Sequence, residues 1–312
     1  MPIYLPIFIG KKMRVLITGA TGLVGTEIIK LCEEENIKVN YLTRNKDKIE
    51  TSENYKGFLW NPAKKEIDEK CLEGVDKIIN LAGASVSKRW TSSYKKKILN
   101  SRLDSVNTLY QLLSKKEHEV GQIVSASAIG IYPDSLQKLY HEDEPEIADN
   151  FLGEVVDKWE KAVDQFAQLG LEVAKIRIGV VLSDKGGALE KIKEPIENYV
   201  GAPLGRGKQW QSWIHIKDIA GIFVHAIKNN WDGVFNGVAP NPVTNKELTK
   251  AIATKLNKPL VLPKVPSFAL KMLLGEMAVI VLSSQLVSNT KVDSTSYMYQ
   301  FTHLNPALDD LL

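Results

Sequence analysis

Short apolar runs alternate with segments of helical period through the first half of the chain. Strand-like runs fall at Arg14–Thr18, Lys38–Thr43, Gly57–Trp60, Lys77–Leu81, Gln122–Ser127 and Glu172–Ile178. Between them, apolar residues recur at helical spacing over Leu23–Glu34, Ser93–Ser114 and Phe151–Gln168. The runs are apolar on both faces, as a parallel strand covered by helices above and below must be. This alternation predicts an α/β fold, a Rossmann-type doubly wound parallel sheet with its ligand crevice at the carboxyl ends of the strands. Beyond Val181 the pattern loosens around Gly186-Gly187, Gly201-Ala202-Pro203 and Gly205-Arg206-Gly207. A helix over Ile216–Lys228, a strand at Gly233–Asn236 and helices near Asn245–Leu256 and Ser267–Val281 complete the reading. The expected division is an extension over 1–12, a nucleotide-binding domain over 13–180 and a smaller substrate-side C-terminal region over 181–312. Elements of the C-terminal half can return to the sheet.

The first strand breaks into Thr18-Gly19-Ala20-Thr21-Gly22-Leu23-Val24-Gly25. Gly19 permits the sharp turn, Gly22 lets backbone approach a pyrophosphate, and Gly25 lets the helix lie close to the strand. The helix start then offers unpaired N–H groups and a positive dipole end to phosphate. Gly19, Thr21, Gly22, Leu23, Val24 and Gly25 are therefore the expected phosphate loop.

The second strand ends Thr43-Arg44-Asn45, with no carboxylate where a ribose diol would be bound. An arginine there pairs with a 2′-phosphate, which a carboxylate would repel, so Arg44 predicts NADP(H). The alternative is a surface arginine in a basic loop with Lys46 and Lys48. Trp60, Leu81, Ala82 and Gly83 end the third and fourth strands and are expected to flank the cofactor. Ala82 is equally suited to tight packing on the first helix. On the fifth strand Ser127, and after it Ser125, are candidates to bond a substrate oxygen or the cofactor. Ser125 can equally satisfy backbone groups at the strand end.

Composition narrows the classes. The 312 residues carry 40 basic and 37 acidic side chains, interleaved, for a net charge of +3, and no basic stripe interleaved with aromatics marks a nucleic-acid groove. The run Lys95-Lys96-Lys97 reads as a solvated helix face. Two cysteines without short spacing and five scattered histidines support neither a disulfide framework nor a metal site. Met272–Leu286, interrupted by Glu276, reads as a buried helix and not as a membrane span. A cytoplasmic protein without a membrane or nucleic-acid partner is expected.

The Thr18–Gly25 turn, Asn80–Gly83 and Ser125–Tyr132 together resemble the extended short-chain dehydrogenase/reductase superfamily. Ser101–Asp104, Phe151-Leu152 through Trp159-Glu160, Pro203–Gln209, Trp213–Asp218 and Leu274-Gly275-Glu276 resemble, more narrowly, its atypical epimerase family group, which carries a small C-terminal domain. The resemblance runs from Met13 to Leu312. It implies a general acid/base Tyr-x-x-x-Lys pair, but those positions hold Leu152 and Val156, neither of which transfers a proton. The superfamily's helix asparagine is replaced by Arg102, which could bind a cofactor phosphate, polarise a carbonyl or pair with a neighbouring carboxylate.

Tyr132 and His215 are the remaining proton-transfer candidates, although His215 between two isoleucines also suits a packed position. Arg206, Lys208, Gln209, Trp210 and Trp213 are expected on the substrate side, where Asp218 would hold a loop. The reading is an NADP(H)-dependent oxidoreductase or epimerase-like protein acting on a small carbonyl or sugar-like substrate. The alternative is a catalytically silent NADP(H) sensor or interaction module. A homodimer seam could use the apolar face of Val155, Val156, Trp159, Val163 and Phe166, which equally suits packing on the chain's own sheet.

Overall fold

The computed structural model describes residues 12–312; the expected N-terminal extension otherwise lies outside the described residues. The chain runs β1 (Arg14–Thr18), α1 (Leu23–Glu34), β2 (Lys38–Thr43), β3 (Tyr55–Asn61), β4 (Glu66–Ile67), β5 (Lys77–Asn80), α2 (Ser92–Leu113) and β6 (Gln122–Ala128). It continues with β7 (Leu139–Tyr140), α3 (Phe151–Asp164), β8 (Glu172–Ile178), β9 (Val180–Leu182), α4 (Ala188–Glu197), β10 (Trp210–Gln211), β11 (Trp213–His215), α5 (Ile216–Lys228) and β12 (Gly233–Gly237). After these come α6 (Asn245–Lys255) and α7 (Ser267–Leu274), and the chain ends in a helix over Leu304–Leu311.

The central sheet has the order β12-β8-β6-β5-β1-β2-β3-β4. Every pairing in it is parallel except β3 with β4. Helices α1 and α5 pack against each other, and so do α2 and α3. Val15, Leu16, Ile17, Ile78, Ile79, Ile123 and Val124 are fully buried in the middle of the sheet. The order reverses beside β1, so the β1–α1 turn lies at the switch point where open α/β sheets bind ligands. The last strand, β12, and the covering helix α5 both come from beyond residue 180 and complete the central sheet and its cover.

Two expectations change. The segment near Ser267–Val281 is not one buried helix. Gly275, at φ +60°, ends α7, and two short turns, Gly275–Ala278 and Val279–Leu282, follow. Met272 and Leu273 stand 82% and 76% exposed on α7, so burial fails as well as continuity. The α3 face on which a dimer seam rested is used within the chain, because Val155, Val156, Trp159, Val163 and Phe166 are all buried against it.

The C-terminal segment is fastened to the helix layer that covers the sheet through Asp218, in the first turn of α5. Its buried carboxylate accepts from the Gln300 and Phe301 N–H groups at 2.7 and 3.0 Å and from the Tyr297 hydroxyl at 3.2 Å. Burial pushes this carboxyl above the ordinary range, and the three donors oppose that shift. Asp218→Ala leaves the backbone donors without an acceptor and is expected to cost about 3 kcal/mol. The check is a lowered urea midpoint with an unchanged m value.

Candidate functional site

The phosphate loop is built as its glycines require. Gly19 has φ +70°, and a Cβ there would meet the Leu81 carbonyl carbon at 2.9 Å. A Cβ on Gly25 would lie 2.4 Å from the Gly19 carbonyl oxygen, and one on Gly22 would lie 3.2 Å from it. Helix α1 starts without a side-chain cap at Gly22, and its first internal bond runs from Thr26 N–H to Gly22 O. The N–H groups of Leu23, Val24 and Gly25 therefore stay open at a positive helix end.

Beyond this turn lies a cavity of about 690 Å³. Its wall includes Gly19, Thr21 and Gly22, then Arg44 and Lys48 after β2, Trp60 and Pro62 at the end of β3, and Leu81 to Ala84 after β5. The α2 residues Lys97, Asn100, Ser101 and Asp104 complete it. Lys97 and Asp104 were not foreseen. Lys97 was read as part of a solvated run, yet it faces the cavity, while Lys95 pairs with Glu276. Lys97, Asn100, Ser101 and Asp104 follow one another at i, i+3, i+4 and i+7, and that helical spacing was the signal that could have located this face of α2. Arg44 is exposed and forms no ion pair among the described residues.

Arg102 is not itself in this wall but contacts its Gly83 and Ala84 and reaches toward α3. Its Nη1 donates to the carbonyls of Ile98 and Ala84, at 2.9 and 3.2 Å. The guanidinium lies 5.0 Å from the Trp159 ring centroid. Gly83 makes room for it, since a Cβ there would meet the guanidinium carbon at 3.1 Å. Burial pushes the arginine down to about 10. The anticipated ion pair with Asp104 or a neighbour is absent among the described residues.

Other predicted residues are engaged elsewhere. Ser125 is fully buried and accepts from Asn80 Nδ2 at 2.9 Å, so its side chain has no face on the cavity. Ser127 is buried and donates to Glu160 Oε1. The residue that meets Leu152 is Gly130, where an added Cβ would sit 3.4 Å from Leu152 Cβ. Glu160 also forms a two-pronged pair with Arg177, Nε to Oε1 at 2.9 Å and Nη2 to Oε2 at 3.0 Å. Arg177 Nη1 donates to the Tyr132 hydroxyl, which donates to Asn236 Oδ1 at 2.7 Å. Burial pushes Tyr132 up to about 12, with the adjacent Arg177 working against it. Tyr132 is thus a buried network member, not a free acid facing substrate. The Glu160–Arg177 pair escaped the sequence reading because its partners lie on different elements.

The substrate-side expectations divide similarly. Trp213 is buried, with its indole N–H on the Asn241 carbonyl, and Gln209 donates to the carbonyls of Leu204 and Val281. His215 is buried at the N-terminus of α5, where Nδ1 accepts from Lys217 N–H. Its ring lies 3.9 Å from that of Phe301, and Nε2 is 3.3 Å from Asp310 Oδ2. Burial lowers His215 to about 4 against the pull of Asp310. It is a packed cap and not a poised base. Trp210 donates its indole N–H to the Leu136 carbonyl. Arg206 stays exposed beside Asp134 at 3.5 Å.

A doubly wound sheet with a glycine turn at its switch point, opening on a cavity of about 690 Å³, defines a dinucleotide-binding protein of the extended short-chain dehydrogenase/reductase type. Comparison narrows this. The NAD dependent epimerase/dehydratase family model matches residues 15–151, and a domain of unknown function, DUF1731, matches 265–311. An epimerase family protein of Staphylococcus aureus (strain MRSA252) is 37% identical over 298 residues, covering 95% of this chain and 98% of that protein. The crystal structure of human epimerase family protein SDR39U1 (isoform 2) with NADPH superimposes with a TM-score of 0.83 at 30% identity, covering 96% of this chain and 99% of that one. A nucleoside-diphosphate sugar epimerase from Corynebacterium glutamicum matches with a TM-score of 0.76 at 30% identity, over 95% of this chain and 57% of its own. The chain belongs to the epimerase family of atypical short-chain dehydrogenases/reductases.

Two outcomes test this geometry. Glu160→Leu or Arg177→Met alone leaves one buried charge unpaired and is expected to cost about 3–5 kcal/mol. Glu160→Leu with Arg177→Met should cost less than the two single changes together, as read in a denaturation double-mutant cycle. For His215 the folded value, about 4, lies below the ordinary 6.5. Folding therefore favours the neutral ring, so its contribution is complete above pH 6.5 and declines as pH falls toward 4. His215→Asn should flatten that part of a urea-midpoint profile against pH.

Proposed function

We propose that this protein binds NADP(H) and acts as a reductase-type enzyme on a small carbonyl compound. The observation that carries the reading is Arg44, an exposed guanidinium at the end of β2 with no acidic partner among the described residues. It opens on the same cavity as the glycine turn, with Lys48 beside it. The cradle fits the cofactor's phosphates, since a Cβ on any of its three glycines would crowd backbone and the first turn of α1 leaves its N–H groups open. In this reading Leu23, Val24 and Gly25 N–H hold the diphosphate, and Arg44 with Lys48 holds the 2′-phosphate. Trp60 flanks the adenine end, and the backbone of Leu81, Ala82 and Gly83 lies along the riboses. The NADPH in the human relative's structure supports the same choice. When bound, the cofactor would supply or accept hydride.

Leu152 and Val156 favour a second reading, a cofactor-binding sensor without turnover. Both occupy positions where the superfamily's acid/base pair would stand, and Ser127 and Tyr132 are held in a buried network.

Side-by-side calorimetric titration with NADPH and NADH tests the cofactor assignment. NADPH is expected to bind at least about tenfold more tightly, roughly 1.4 kcal/mol, and Arg44→Ala should abolish that preference. Equal binding by the unaltered protein would remove Arg44 from the argument. Binding of neither would overturn both readings.

A further inference from the structure

The hydroxyl and ammonium groups that could transfer a proton are engaged. The Tyr94 hydroxyl donates to the Ser85 carbonyl, and the Ser101 hydroxyl donates to the Ile98 carbonyl while accepting from Ala84 N–H. Lys95 lies over the Phe151 ring and is ion-paired with Glu276. Tyr132 is tied to Arg177 and Asn236. Leu152 and Val156 have no proton to give.

Arg102 is different. It carries a fixed positive charge, half-buried, with Nη1 on two carbonyls and with Nε and Nη2 unbonded among the described residues. The Trp159 indole N–H beneath it is buried and also lacks an acceptor. A half-buried cation and an orphaned N–H together leave a deficit of negative charge beside Gly83 and Ala84 of the cavity wall, which Arg102 contacts. Trp90 and Phe151, in edge contact with centroids 5.0 Å apart, add an aromatic pair at the start of α3.

Reduction of an isolated ketone builds charge on an alkoxide, which is too basic to survive without a positioned acid. Reduction of an α,β-unsaturated carbonyl instead builds an enolate, whose charge is delocalised and which a guanidinium can stabilise without giving up a proton. We propose that Arg102 is an oxyanion receptor and that the substrate is a planar α,β-unsaturated carbonyl compound. This inference rests on NADP(H) occupying the cleft. The β-carbon of the acceptor receives hydride, with its electron pair, from NADPH, which departs as NADP⁺. The carbon–carbon π pair shifts to form the enolate, whose oxygen faces Arg102, and water then protonates the α-carbon. The cofactor is oxidised by two electrons and the acceptor is reduced by two. Arg102 is the catalytic residue in this scheme.

The first readout is independent of turnover. 4-Nitrophenol is titrated into the protein saturated with NADP⁺, and ionisation of the bound probe is followed by phenolate absorbance. Arg102 should lower the bound probe's ionisation midpoint by about one pH unit, a tenfold preference for the anion. Arg102→Gln should abolish the shift and Arg102→Lys should retain part of it. The second readout is NADPH oxidation with benzylideneacetone, with cyclohexanone as the isolated-ketone comparison. Turnover is expected only with the former, and Arg102→Gln should lower kcat about 100-fold while the Kd for NADPH stays within about threefold.

An unshifted probe, or faster turnover of cyclohexanone, overturns the proposal. A large loss of NADPH affinity in Arg102→Gln without a change in kcat also overturns it, by assigning Arg102 to the cofactor's phosphates. Failure of the unaltered protein to bind NADPH would instead overturn the cofactor reading. NADPH binding with no turnover of the enone defeats this inference alone. Far-ultraviolet circular dichroism of both variants separates misfolding from loss of the charge.

Discussion

The strand ends that form the cleft are held by one buried amide, that of Asn80. Its Oδ1 accepts from the Thr18 hydroxyl at 2.8 Å and the Ser105 hydroxyl at 3.2 Å, while its Nδ2 donates to Ser125. Thr18 Oγ1 in turn accepts from the Leu81 and Ala82 N–H groups at 3.1 Å each. One node thereby ties the carboxyl ends of β1, β5 and β6 to α2. A buried polar network of this kind is stable only when each member finds its partner, so it specifies a single arrangement. The Gly19 turn and the Leu81–Gly83 backbone face each other across the gap that this node sets, close enough that Gly19 tolerates no side chain.

Farther along the cleft a different network governs the site. Glu160 and Arg177 are nearly dry, and their charges are matched by paired hydrogen bonds and by Lys175, whose Nζ is 4.0 Å from Glu160 Oε2. Ser127 and Tyr132 are recruited to satisfy the lone pairs and protons this pair leaves over. Buried ion pairs need such additional bonds to offset desolvation. The hydroxyls that look catalytic in the sequence are therefore committed to keeping a salt bridge buried. Arg102, whose hydrogen bonding is incomplete, stands outside this network.

What was legible in the sequence follows from which constraints are local. The glycine turn could be read because positive φ and close backbone approach restrict a position to one residue type regardless of the rest of the fold. Strand runs were legible because burial on both faces leaves no polar alternation. Arg44 was legible because it directly follows a strand. The roles of Ser127, His215, Gln209 and Trp213 were not, because each depends on a partner on a separate element: Glu160, Phe301, Val281 and Asn241. Burial of a histidine between isoleucines is compatible with both a base and a cap, and only the Lys217 N–H and the Phe301 ring decide it. The segment around Gly275 was misread because its apolar composition was taken for burial, whereas a positive φ at Gly275 breaks the helix, and of its apolar residues Leu270 and Ala278 are buried while Phe268, Met272 and Leu273 are exposed.

Tyr132 also joins the two halves of the molecule. Its hydroxyl bonds to Asn236 at the end of β12, and its carbonyl accepts from Gln285 Nε2 at 2.7 Å. The adjacent Asp134 carboxylate accepts from Ser284 N–H at 2.7 Å, and Ser212 Oγ donates to the Gln285 carbonyl while accepting from Val287 N–H. These bonds tie the loop that follows β6, and Ser212 between β10 and β11, to the segment after α7, and Tyr132 links that joint to the buried network that holds Ser127. A return of either hydroxyl to acid/base duty would require giving up part of the joint between the sheet and the C-terminal region. In the proposed reaction, that coupling is a physical reason for a fixed charge to serve in place of a transferable proton.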